Sequence, residues 1–347
     1  MPYDMAGSKS YKIATIGSHS ALQILKGAQQ EGFSTIAICL KGRENVYRQF
    51  KVADKIMTIG SYKEIMDIQD SLIKEHAILV PHASLIEYVG LNNVEKFKVP
   101  YYGNKNILRF ESDRDIEREW LANAGLKLPK IFNNPKDIDR AVIVKFHGAK
   151  GGKGYFLAKN EKDFKEKMKS HMTANNEQEK YVIQEYIVGV PMFIHYFYSP
   201  LTEELELMGF DKRYESNVDS LGRVSARDQI ALPKIDPSYV IVGNIPIVVR
   251  ESFLPLIMEM GENVIKESKK ITKGGLWGPF CLETIMTPEQ EIFTFEISAR
   301  IVAGTNPYIN GSPYTWLKYD EPMSTGRRIA RDIKQAITAG QLSRVLG

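Results

Sequence analysis

The stretch AVIVKFHGAKGGKGYF, residues 141–156, restricts the fold more than any other part of the chain. A β-branched apolar run ends in Lys145. A loop follows in which Gly148, Gly151, Gly152 and Gly154 alternate with Lys150 and Lys153, and a second apolar run opens at Tyr155. The pattern predicts a hairpin with a basic, glycine-rich tip. Glycine accepts positive φ and lets backbone N–H groups approach a ligand, while lysine adds charge, so such a tip suits a polyphosphate. It is not a P-loop, whose lysine and Ser/Thr open a helix. Here Gly154 runs directly into Tyr155-Phe156-Leu157, which reads as strand. Taken by itself, the stretch reads equally well as a surface hairpin whose lysines serve solubility.

The first hundred residues alternate between strand and helix patterns. Strands are expected at 11–16, 34–40, 55–59 and 77–80, with a helix at 20–32 carrying Leu22, Leu25 and Ala28 at helical spacing. Ser61 and Glu64 form a capping box for a helix carrying Ile65, Ile68 and Leu72. This alternation predicts a parallel, doubly wound α/β sheet, in which ligands gather beyond the carboxyl ends of the strands. Two segments fall there. In Gly17-Ser18-His19-Ser20, free N–H groups at a helix start favour an anion; Pro81-His82-Ala83-Ser84 occupies the equivalent place after the fourth strand. Singly, His19 reads as a helix-entrance residue and Ser84 as an N-cap. Together at one sheet edge they point to a shared small-molecule pocket.

A highly charged helix is expected at 113–124, closed by Gly125 and Pro129, and a basic amphipathic helix at 163–172. A strand at 180–187 ends in Gln184-Glu185, and strands follow at 192–199 and 204–210, then a polar stretch at 211–227. The helix at 252–271 turns Leu256, Ile257, Met260, Val264 and Ile265 inward. Two last strands, 278–286 and 291–301, flank the turn 287–290. This second hairpin sets Glu283 beside Glu296, each a lone carboxylate among apolar residues. Two ionised carboxylates side by side in a partly buried site repel strongly and need a cation between them. Mg²⁺ accepts carboxylate and phosphate oxygens together. If both glutamates lie instead on the solvent face of a half-exposed strand, no cation is needed.

With 347 residues the chain can form two or three domains with well-buried cores. Its net charge of +4 is too small and dispersed to indicate nucleic acid as a partner, and no apolar run reaches the roughly 20 residues that span a bilayer. Cys39 and Cys281 show no metal-ligand spacing and read as reduced, buried thiols. The opening MPYDMAGSKS lacks the apolar core of a signal peptide, so a cytoplasmic location is expected.

A phosphate loop between two strands, an acidic hinge and a carboxylate pair together resemble the ATP-grasp superfamily. Within it the chain is similar, over nearly its whole length, to the archaeal formate-dependent FAICAR synthetases. The segments that carry this are GSHSALQILKGAQQEGF, KFHGAKGGKGYF, Arg213-Tyr214-Glu215-Ser216-Asn217, Val242-Gly243-Asn244-Ile245-Pro246 and FEISARIVAGTN. The resemblance implies an ATP-grasp fold with α/β and α+β parts. An N-terminal doubly wound, Rossmann-like pre-ATP-grasp domain would span 1–104, a linker helix and flap 105–190, and a C-terminal ATP-grasp domain with the metal site 191–347.

It also implies roles for single residues. Lys145, Gly151, Gly152 and Lys153 would contact the phosphates of ATP; Gln184, Glu185 and Ile187 would hold adenine and ribose; Glu215 would contact ATP. His19, Ser84 and Asn244 would bind AICAR, the aminoimidazole carboxamide ribonucleotide, and Glu283 and Glu296 would bind Mg²⁺ or Mn²⁺. The superfamily pattern of carboxylate, asparagine and arginine at two-residue steps is matched by Glu296 and Arg300, with Ser298 in the asparagine's place. Coordination therefore rests on the two glutamates, and Arg300 joins Lys145 as a candidate stabiliser of the transferred phosphate.

Read without the resemblance, Asn244 shapes a turn, Glu215 pairs with Arg213 on the surface and Glu185 is a solvated strand end. The implied reaction joins formate to AICAR with ATP, through formyl phosphate, in a homo-oligomer with no protein nucleophile. A diverged paralogue taking another carboxylate or ribonucleotide, or a nucleotide sensor without chemistry, would fit the same motifs. No residue in the sequence marks where formate binds.

Overall fold

The computed structural model describes residues 10–146, 155–175, 180–216, 221–231 and 240–347. The hairpin tip, with Gly148, Lys150, Gly151, Gly152, Lys153 and Gly154, lies outside the described residues, as does Asn217.

β1 (Lys12–Ile16), β2 (Ser34–Leu40), β3 (Lys55–Ile59) and β4 (Ala77–Leu79) form a parallel sheet in the order β3-β2-β1-β4. Both faces of such a sheet are covered, so its strands are apolar almost throughout; Ile13, Ala14, Ile16, Ile36, Ile38 and Leu79 are all buried. The chain leaves β1 in one direction and returns to its other side at β4, which puts the segments after β1 and β4 next to each other at the switch point. The helix expected after Ser61 is instead a 3₁₀ segment, Tyr62–Met66, and a separate α-helix, Gln69–Lys74. The Ser61 hydroxyl caps nothing; Glu64 accepts from the Gly60 amide at 2.8 Å, since Gly60 has no side chain to hold the carboxylate away.

A small antiparallel sheet follows, β5 (Ile131–Phe132), β6 (Val142–Phe146), β7 (Tyr155–Ala158) and β8 (Tyr181–Glu185), in the order β5-β8-β6-β7. It has a core of its own around Phe132, Val144, Phe146, Phe164 and Ile183. The third sheet is antiparallel, with β9 (Val190–Tyr198), β10 (Leu205–Glu215), β11 (Ile241–Ile247), β12 (Gly278–Met286) and β13 (Ile292–Ser298) in the order β11-β10-β9-β12-β13. Two expectations fail here. β10 does not stop at residue 210 but continues through Glu215, because β11 pairs with it and sets Asn244 opposite Arg213; Asn244 is therefore mid-strand and shapes no turn. Leu256, at the start of the helix Leu254–Ile271, is 44% exposed, since it falls off the stripe formed by Ile257, Met260 and Val264. No helix among the described residues is long and apolar enough to cross a membrane.

The helices Ala21–Gln30 and Thr325–Thr338 join the two ends of the chain. They cross at Gly27 and Gly326 with backbones nearly touching: a Cβ on Gly27 would lie 2.2 Å from the Arg327 nitrogen, and one on Gly326 2.4 Å from the Gln23 carbonyl oxygen. Gln23 also accepts from the Gly326 amide at 2.9 Å and donates to Thr305 at 3.2 Å, which docks the FEISARIVAGTN segment on the first βα turn. Gly27→Ala forces two backbones apart, and overpacking of this kind costs about 2 kcal/mol or more. A melting temperature lower by roughly 5 °C or more is expected in thermal denaturation; an unchanged one would mean that the helices separate freely.

Candidate active site

The site is built on one line across the third sheet. Asp211 on β10 pairs with Phe193 on β9, Phe193 with Glu283 on β12, and Glu283 with Glu296 on β13. Residues in direct register share a face, so these side chains project together, and Arg213, two residues along β10, joins them. The register shifts just after the glutamate pair: Thr284 faces Thr294, leaving Phe295 as the extra residue of a β-bulge. A bulge re-aims side chains, and here Phe295 and Glu296, sequence neighbours that would normally point to opposite faces, both line one cleft.

That cleft has a volume of about 440 Å³ and lies between the third sheet and the small antiparallel sheet. Lys145 forms the opposite wall, donating to Gln184 at 3.4 Å with its ammonium 5.6 Å from the Phe295 ring centre. Gln184, Glu185, Ile187 and Glu215 line the same cleft. Glu185 is not a solvated strand end: it accepts from Arg140 at 2.9 Å and from the Lys130 amide at 3.0 Å. Nor is Arg213 a surface partner of Glu215. It is 7% exposed, lies 3.6 Å from Asp211 and stacks on Phe193 at 4.1 Å.

Carboxylate repulsion concentrates at the glutamate pair. Burial, and then the neighbouring Glu296, hold the Glu283 carboxyl well above the usual carboxylate range. Two further acids press on the same place. Glu117 accepts from the Ile297 amide at 2.6 Å, while Glu111 accepts from the Ala299 amide and from Arg300, both at 2.9 Å. β13 is an edge strand whose outward N–H groups would otherwise be unpaired, and these carboxylates satisfy two of them. Burial followed by Glu296 raises Glu117, and burial raises Glu111. Lys145 is lowered by burial, with Glu296 acting against it. The acids Glu111, Glu117, Asp211, Glu283 and Glu296 outnumber the cations Arg114, Lys145, Arg213 and Arg300, and a divalent cation between Glu283 and Glu296 would relieve the repulsion that raises Glu283 and Glu117. Among the described residues no group of three or more His, Cys, Asp or Glu is arranged to hold a metal alone. A cation held by this pair would need phosphate oxygens or water to complete its shell. Ser298 sits behind the pair, donating to Glu283 at 3.4 Å.

The far end of the line meets the first sheet. Asp211 receives His195 on one oxygen and Asn244 on the other, each at 2.7 Å. Gly304 permits this arrangement, because a Cβ there would stand 2.1 Å from the Asp211 carboxylate. His19 has a φ of 40°, and its carbonyl accepts from Asn306 at 3.3 Å. Partial burial, then Arg300 and Arg213, lower its proton affinity. Ser84 donates to Ser18 at 3.0 Å, beside His19; the N-cap of its helix is His82, not Ser84. The amides of Gly17 and Ser18 are already bonded to the Ile38 and Ile16 carbonyls, so these two are not the free anion-binding donors expected.

Thus Lys145, Gln184, Glu185, Ile187, Glu215, Glu283 and Glu296 gather in one cleft, with Asn244 opposite Arg213 on β11, while Ser84 bonds Ser18, the neighbour of His19, at the edge of the first sheet. Sequence reading missed Asp211, His195, Glu111 and Glu117. Asp211 and Arg213, alternating at the end of an apolar strand, were a legible sign; the two glutamates were indistinguishable from the other charges of a polar helix.

Residues 13–132 match a family described as "Protein of unknown function (DUF1246)", and residues 159–347 one described as "Domain of unknown function (DUF1297)". A relative from Pyrococcus horikoshii, named 5-formaminoimidazole-4-carboxamide-1-(beta)-D-ribofuranosyl 5'-monophosphate synthetase, is 56% identical over 338 residues, covering 96% of this chain and 99% of the relative. One of the same name from Methanocaldococcus jannaschii is 47% identical over 351 residues, covering 99% and 97%. The crystal structure of an IMP biosynthesis protein PurP from Thermococcus kodakaraensis superposes with a TM-score of 0.75 at 28% identity, over 96% of this chain and 100% of that one. An ADP complex of N5-carboxyaminoimidazole ribonucleotide synthetase shares the fold alone, with a TM-score of 0.66 at 16% identity over 96% and 79%.

Proposed function

The chain belongs to the 5-formaminoimidazole-4-carboxamide ribonucleotide synthetase family of ATP-grasp enzymes, and on that premise we propose that it joins formate to AICAR at the expense of ATP, late in purine biosynthesis. The observation that carries the reading is the cross-strand pair Glu283 and Glu296, which opens into the same cleft as Lys145.

Formate does not react with an amine directly, because its leaving group would be oxide or hydroxide. Instead a formate oxygen attacks the γ-phosphorus of ATP and the bond to the β-phosphate oxygen breaks, giving formyl phosphate and ADP. The AICAR amine then attacks the formyl carbon, the carbon–oxygen bond to phosphate breaks, and the amine loses a proton as phosphate departs. Phosphoryl transfer depends chiefly on position and charge. Lys145 faces the phosphates, Gln184, Glu185 and Ile187 receive adenine and ribose, and Glu215 adds a contact to ATP. His19, Ser84 and Asn244 hold AICAR, with Asp211 orienting Asn244. Mg²⁺ or Mn²⁺ bound by Glu283 and Glu296 supplies neutralisation of the phosphate charge. Water must be kept out while formyl phosphate exists, and the flap formed by β6 and β7 stands over the cleft for that purpose. We take the enzyme to be cytoplasmic, in keeping with the free, buried thiols of Cys39 and Cys281, and homo-oligomeric.

ADP release should require formate and AICAR together. Turnover with AICAR omitted, or none with ATP, formate and AICAR all present, rejects this assignment in favour of a diverged paralogue or a sensor.

A further inference from the structure

Arg213 is a buried cation to which none of these roles gives a partner. Among the described residues it donates no hydrogen bond: its Nε is buried and unbonded, and Asp211, 3.6 Å away, already uses one oxygen on His195 and the other on Asn244. A guanidinium carries five donors in a plane, and burying them unpaired is costly. Stacking on Phe193 at 4.1 Å covers one face of that plane and fixes its tilt, so what remains is the edge, at a position lining the cleft with Glu283 and Glu296. Arg300 is similar. One Nη bonds Glu111, while its Nε is buried without a partner. Arg300, however, lines a separate small cavity with Tyr101 and Ile301, so the guanidinium edge offered to the cleft is that of Arg213.

We propose that formate binds at the edge of Arg213, which takes its two carboxylate oxygens. The inference rests on the assignment under Proposed function and names the residue for its small carboxylate. A planar anion with two oxygens matches a guanidinium fork. The position also suits the chemistry, since Arg213, stacked on Phe193, stands in the cleft between Glu283, where the transferred phosphoryl group would arrive, and Asn244, opposite it on β11, where the accepting amine would be held. A nucleotide monophosphate fits this position less well, because it would lie against the triphosphate with like charge.

The test uses the full-length enzyme with Arg213→Lys and Arg213→Gln, measuring KM for formate and for AICAR separately. Without the guanidinium fork to grip its carboxylate, formate should show a KM raised roughly 10-fold or more, with KM for AICAR unchanged and Arg213→Lys less impaired than Arg213→Gln. ¹³C-formate titrated into enzyme loaded with ADP reads binding without turnover, and its line broadening should weaken in both variants. Unchanged formate KM, or a rise in KM for AICAR instead, overturns the proposal. So does loss of AICAR binding or of folding in both variants, because the guanidinium would then be structural. Wild-type enzyme that fails to consume formate refutes the functional assignment itself, an outcome visible before any variant is made.

Discussion

Glu296→Gln is expected to lower kcat by roughly 10³-fold, the loss typical of removing a charge-stabilising group from a transition state, and to leave AICAR affinity unchanged. Glutamine preserves the shape of the side chain and removes the charge. Among the described residues the Glu296 carboxylate accepts no hydrogen bond; the backbone beside it is held by Glu117 and Glu111. Its charge is instead a burden on the fold, for it adds to the effect of burial in raising Glu283 and Glu117. Removing it should therefore leave the melting temperature without ligands unchanged or higher. Loss of turnover with stability retained separates a cation-binding role from a structural one. Activity near wild type would show that the metal lies elsewhere, and a fall in stability would show that the glutamate is part of the scaffold. Calorimetric titration of Mg²⁺ with an ATP analogue provides a readout that does not depend on turnover.

Lys145→Met should cost roughly 10² to 10³ in kcat, as for loss of one preorganised charge at a phosphoryl group. Among the described residues the ammonium, across the cleft from Glu296, is anchored by Gln184 at 3.4 Å and by the Phe295 ring alone. Burial lowers its proton affinity and Glu296 restores part of it. The two variants are therefore not independent. The double variant should lose less than the product of the single losses, because groups acting as a unit are non-additive. Single-turnover ADP formation measures the transfer itself and isolates the effect from product release. If Lys145→Met turns over like wild type, the lysine belongs to the hairpin's structure and the phosphates are held by other groups.

Much of this arrangement was legible in the chain. Some short-range patterns that depend on neighbours in sequence held, namely the apolar runs of β1 to β4 and the turn that brings Glu283 opposite Glu296, whereas the capping box at Ser61 did not. A lone carboxylate inside an apolar strand stands out because nothing local explains it. Where a second strand intervened, local reading failed. The polar run from Asp211 looked like loop because a strand ending in buried charges makes sense only once β11 and the Glu283 line lie beside it.

The sequence by itself determined the parallel α/β layer, the glycine-rich hairpin and the pairing of two glutamates, since each follows from side-chain periodicity and turn chemistry within a few residues. Only the tertiary structure decided that Phe295 and Glu296 face one way, that Glu117 and Glu111 bond the amides of Ile297 and Ala299 at the edge beside them, and that Arg213 is buried with its Nε unbonded among the described residues. Those features arise from a bulge, from an edge and from charges meeting across distant strands. The energies that select them come from desolvation and from repulsion between groups that are far apart along the chain.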